Sequence, residues 1–96
     1  MTSGSRGKKL LDRVLQKRCK NVRFDDLRTL LEAYGFVRDR ISSSHHIYTH
    51  PCYRGIVTLQ KPHHQPEVPQ PFCRQALTAI QEIIELENEG DDRDEW

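Results

Sequence analysis

No stretch of the 96 residues approaches the roughly 18 consecutive apolar residues of a membrane-spanning helix. Residues 1–9 are Ser, Gly and basic residues with no apolar run of signal-peptide length behind them, so a cytoplasmic address is the default expectation. Glycine and proline are scarce, at five each, which excludes collagen-like and low-complexity chains. Cysteine is scarcer still. Cys19, Cys52 and Cys73 stand far apart and none forms the C-x-x-C pair of a zinc knuckle or redox motif, while an odd count argues against a disulfide framework. Reduced, mostly structural thiols are expected. The length allows one small domain and excludes a large multi-step enzyme, and no internal repeat is present.

What the chain has is charge, and it is polarised. Residues 1–64 carry 13 Lys/Arg against 5 Asp/Glu, or +8, and residues 65–96 carry 2 against 9, or −7. A basic body suits a polyanion such as RNA, because Lys and Arg displace counterions from phosphates.

Apolar spacing supplies the elements. Leu10, Leu11, Val14 and Leu15 make a narrow stripe on a basic helix over residues 8–19. Leu27, Leu30, Leu31 and Tyr34 recur at i, i+3, i+4 and i+7, with Asp25 and Asp26 where the helix dipole favours negative charge and Gly35 as the left-handed stop. Residues 36–40, 46–50 and 55–59 are short and β-branched or aromatic, which predicts three antiparallel strands. Pro62, Pro66, Pro69 and Pro71 force residues 60–71 into an extended loop. Phe72, Ala76, Leu77, Ile80, Ile83 and Ile84 then predict a helix over residues 71–86. The resulting expectation is an α+β domain, a three-stranded antiparallel sheet with helices on one face, over residues 24–86. A basic, helical N-terminal extension covers residues 1–23 and an acidic, flexible tail residues 87–96.

Five histidines, His45, His46, His50, His63 and His64, all fall in the strand and loop region. An imidazole titrates near neutrality, so a positioned one moves protons at neutral pH. His46 and His50 would share a strand face but stand about 13 Å apart at roughly 3.3 Å per residue, too far to bind one zinc, so no metal and no cofactor is expected.

Gly35-Phe36, then Ser43-Ser44-His45-His46-Ile47-Tyr48-Thr49-His50-Pro51, then Val57-Thr58-Leu59 with Pro62-His63 and Val68-Pro69, resembles the HicA toxin family of toxin–antitoxin systems over about residues 24–86. The resemblance implies a fold like the double-stranded-RNA-binding domain and metal-independent endoribonuclease activity on mRNA. It also implies neutralisation by a HicB antitoxin. It places the catalytic histidine on His45, with Ser44 matching the family's serine and Ser43 standing where the family has glycine. Strand alternation offers the other candidate: if Ile47 points to the helices, His46, Tyr48 and His50 face solvent and His45 turns inward. Arg40, Arg54 and Lys61 lie at strand ends or turns as candidate phosphate contacts, Tyr48 as a stacking platform for a base, and His50 and His63 as further substrate contacts. A non-catalytic RNA-binding module of the same fold is the alternative, since serine in place of glycine and the extra segments could remove activity while keeping the surface.

Overall fold

The computed structural model describes the backbone of residues 2–94 and the side chains of residues 7–87. Helix α1 (Thr2–Lys17) is followed by α2 (Phe24–Ala33), strands β1 (Val37–Ser42), β2 (His45–His50) and β3 (Tyr53–Gln60), and helix α3 (Gln70–Asp94). The strands form one antiparallel sheet in the order β1-β2-β3, so β2, which carries three of the histidines, is central. This is the α+β arrangement expected, with the open three-stranded sheet and flanking helices of a double-stranded-RNA-binding-domain-like fold.

Helix α2 starts with Asp25 and Asp26 in its first turn and stops in a Schellman motif. Gly35 N–H donates to the Glu32 carbonyl and Phe36 N–H to the Leu31 carbonyl, with Gly35 at φ 92°. Phe36 is buried in the core, the apolar contact that accompanies such a cap. A side chain at position 35 would also collide with the sheet, because a Cβ there would lie 3.0 Å from His50 Nε2.

Leu27, Leu30 and Leu31 of α2, Cys73, Ala76 and Ile80 of α3, and Tyr48, Val57 and Leu59 of the sheet belong to one contiguous core. Leu11 and Val14 of α1 join it, so the N-terminal segment shares the core of the rest of the chain; each such burial contributes about 1.5–3 kcal/mol. Leu15, at 40 % exposure, is left outside. Helix α1 begins before the expected residue 8 and ends at Lys17, because Arg18 and Cys19 take left-handed φ values of 56° and 63°. Cys19 and Cys73 are buried free thiols and Cys52 is an exposed one. Burial first, then the Cys19 thiol beside it, pushes the Cys73 thiol up and keeps it protonated.

The proline-rich segment between β3 and α3 is irregular and is tied down by a few backbone bonds. Phe24 N–H donates to the Pro66 carbonyl, Val68 N–H to the Val22 carbonyl, and Arg23 bridges to Glu67. The residues that precede α2 are thereby stitched to the loop. Helix α3 runs past Leu86, where its apolar spacing ends, to Asp94. The side chains of residues 88–96 lie outside the described residues.

Candidate catalytic hairpin

The β1–β2 turn is made by Ser43 and Ser44, since Ser42 pairs with His45. Two-residue hairpin turns of the primed types need a positive φ at their first position, a conformation that glycine takes freely. Ser43 takes it, at φ 59°. The residue that departs from the HicA pattern therefore occupies the glycine-type backbone conformation, at a cost of about 1–2 kcal/mol for an L side chain.

Strand pairing decides which histidine faces where. His46 lies opposite Leu59 and Tyr48 opposite Val57; Val57, Leu59 and Tyr48 are core residues, so this is the face covered by the helices. His45 lies opposite Gln60 and Ile47 opposite Thr58, on the other face. Ile47 is buried yet stands apart from the contiguous core, flanked by Arg40 and Thr58. The expectation that Ile47 points to the helices is thus reversed, and strict alternation sends His45 outward and His46 inward.

His46 is 9 % exposed, its ring meets the edge of Phe24 at 5.0 Å between centroids, and its Nδ1 has no hydrogen-bond partner. Burial, with Arg38 and Lys61 adding repulsion, holds its pKa below the ordinary 6.5. It is a neutral core histidine, and its candidacy as the solvent-facing catalytic group is withdrawn. Tyr48 is corrected likewise: it is fully buried, its hydroxyl has no partner, and burial with Glu32 nearby raises its pKa. A ring enclosed on both sides has no face to offer a base.

His45 is half-buried at the turn end of the sheet, its ring 6.2 Å from that of Phe72 on α3. No hydrogen bond among the described residues engages its ring, and the loop amide that continues the ladder, Lys61 N–H, donates to the Ser44 carbonyl at 2.8 Å. That bond sets the Lys61 backbone beside the His45 turn, while its side chain, one residue past Gln60, falls on the His46 face. Its ammonium lies over the Phe24 ring at 5.8 Å, in a groove of about 110 Å³ lined by Arg23, Phe24 and Lys61 among others. A second, open groove of about 360 Å³ is lined by Gln60, the cross-strand partner of His45, together with Pro62, His63, His64, Gln65 and Pro69. Arg40 shares the His45 face through its pairing with Ile47, its guanidinium held by Asp39 at 2.6 Å.

His50 and Arg54 are at the opposite end. Six residues separate Arg54 from Gln60, about 20 Å at roughly 3.4 Å per residue, so Arg54 is not part of the His45 cluster. The His50 Nδ1 accepts a hydrogen bond from Cys52 N–H at 2.9 Å, and its ring packs on Phe36 at 4.9 Å. It holds the β2–β3 turn and lies away from any substrate at His45. Sequence reading missed Arg23, Phe24, Gln60 and Phe72. Register alone brings Gln60 to His45, and the backbone bonds around Glu67 bring Arg23 to Lys61. No group of three or more His, Cys, Asp or Glu side chains among the described residues is placed to hold a metal ion.

The fold and hairpin define a small α+β domain with a half-buried histidine at the end of a serine turn. The family model described as HicA toxin of bacterial toxin–antitoxin matches residues 24–81, more than half of the chain, and the chain belongs to that family. Neither the curated proteins nor the solved structures give a match. No helix among the described residues is long and apolar enough to cross a membrane.

Proposed function

We propose that the chain is an mRNA-cleaving endoribonuclease toxin that uses His45, needs no cofactor, and is held inactive by a HicB-like antitoxin seated over the His45 face. The observation that carries this reading is the division of two adjacent histidines between the faces of β2, with His46 buried and His45 half-exposed, paired with Gln60 of the His63 groove.

In the proposed reaction the ribose 2′-oxygen attacks the adjacent phosphorus while the His45 imidazole accepts the 2′-hydroxyl proton. The P–O5′ bond breaks, the 5′-oxygen takes a proton from water, and the products are a 2′,3′-cyclic phosphate and a 5′-hydroxyl. Arg40, exchanging Asp39 for the substrate, stabilises the charge on the phosphorane oxygens from the His45 face. An exposed pair such as Arg40–Asp39 is worth about 0–1 kcal/mol and is given up readily to a phosphate. Ser44 contributes its carbonyl, which fixes Lys61, and His63 lines the groove that receives the neighbouring nucleotide.

The test is cleavage of matched RNA and DNA strands in the presence of EDTA, with the product ends identified. RNA cut to 2′,3′-cyclic phosphate ends with DNA intact is the expected result. Equal cutting of both excludes a 2′-hydroxyl nucleophile, and RNA that is retained intact makes the chain a binding module of the same fold.

A further inference from the structure

The charge that attracts RNA lies largely outside the part of the chain that matches the family. Residues 24–81 carry six Lys/Arg against five Asp/Glu, whereas residues 1–23 carry eight Lys/Arg against Asp12 alone. A nearly neutral domain gains little from counterion release, the effect that dominates affinity for a polyanion.

Three of these cations form a row on one helix face. Lys9, Arg13 and Lys17 follow one another at i, i+4 and i+8 on α1, a line about 12 Å long at roughly 1.5 Å per residue. All three are exposed, and Lys9 and Arg13 lie opposite the side that buries Leu11 and Val14. Helix α1 runs antiparallel to α2: Gly7 lies against Ala33 and Tyr34 at the far end of α2, which leaves Lys17 at the end where α2 begins. From there the chain passes through exposed Lys20 to Arg23, which bridges to Glu67 and lines the same groove as Lys61. Lys61 in turn is bonded to the turn that carries His45. Among the described side chains, the acidic groups near this course include Asp12, Asp25, Glu67 and, beside Tyr34 where α1 packs, Glu87.

We infer that the exposed cations of α1, continued by Arg23 and Lys61, form a phosphate track that docks single-stranded RNA and leads it to the His45 turn. The inference rests on the ribonuclease reading for where the track leads, but its binding step stands independently of cleavage. The extension is a substrate-docking element, and the family-matching domain supplies the chemistry.

The test uses the full chain with His45→Ala, so that RNA stays intact, and compares it with the same chain carrying Lys9→Gln, Arg13→Gln and Lys17→Gln. Affinity for a long single-stranded RNA is measured across a salt series. At about 0.7 counterions released per phosphate contact in a single strand, the triple substitution lowers the salt slope by about 2 and weakens binding about tenfold at low salt. Affinity within twofold of the parent with an unchanged slope overturns the track, as does a parent chain that does not bind RNA. Far-UV circular dichroism checks that α1 persists, and Lys9→Arg with Lys17→Arg retains full affinity if charge is the cause; loss of affinity in that variant also overturns the track. With His45 restored, RNA that is bound through α1 but never cut refutes the ribonuclease reading and leaves the track standing. RNA that is cut normally while the triple variant binds it unchanged does the reverse.

Discussion

The two ends of the sheet are built from similar parts to opposite ends. At one, His50 closes the β2–β3 turn, with Nδ1 taken by the Cys52 amide and its ring packed on Phe36. At the other, His45 opens β2 after the Ser43-Ser44 turn; the loop amide goes to the Ser44 carbonyl, and the imidazole stays out of the backbone hydrogen bonding. A histidine whose nitrogen serves a turn amide is a structural residue, and one whose ring takes no hydrogen bond among the described residues is available for proton transfer. Neighbouring sequence does not separate the two, since each lies beside a short turn. Hydrogen-bond partners do.

The comparison can be broken most forcefully at the structural end. Gly35→Ala places a side chain at φ 92° and sets its Cβ 3.0 Å from His50 Nε2, so it should destabilise the chain by about 2–3 kcal/mol in chemical denaturation. His50→Ala removes one hydrogen bond and an aromatic contact and should cost about 1–2 kcal/mol, with RNA cleavage following the folded fraction. A large loss of cleavage by fully folded His50→Ala would show that the two ends are not divided in this way.

His46 sharpens the comparison through pH. Its folded-state pKa is depressed, chiefly by burial and then by Arg38 and Lys61, so the unfolded chain binds the proton more readily than the native one. Its neutral form therefore contributes stability above pH 6.5, the ordinary value, and that contribution is lost as pH falls through the folded pKa. His46→Leu should flatten the dependence of melting temperature on pH on the acid side of 6.5; an unchanged dependence would contradict its burial. The smallest effect belongs to the turn itself. Ser43→Gly relieves a left-handed serine and should raise stability by up to about 1 kcal/mol, the cost of the strain being offset in part by glycine's greater freedom in the unfolded chain.

Much of the fold was legible because local chemistry and tertiary structure agree. The leucine spacing, the paired aspartates and Gly35 mark α2 to within a residue, and four prolines mark the loop after β3. Helix α3 overran its apolar stripe because periodicity reports the buried face and not the backbone beyond it. The faces of β2 were misread for a physical reason. Apolarity marks isoleucine as the inward residue, but Ile47 is shielded on the other face by Arg40 and Thr58, while the apolar bodies of His46 and Tyr48 fill the core. Only the register with Val57 and Leu59 reveals this, and register is a long-range property. The family's pattern placed the histidine at 45 without knowledge of register, and Ser43 keeps the backbone conformation that its departure from glycine put at risk.

The most direct measurement is the single-turnover rate of RNA cleavage by His45→Ala and His50→Ala beside the unsubstituted chain, with the melting temperature of each. The account predicts that His45→Ala melts like the parent and cleaves about 10²–10⁴-fold more slowly. His45→Ala that cleaves at the parental rate would contradict it.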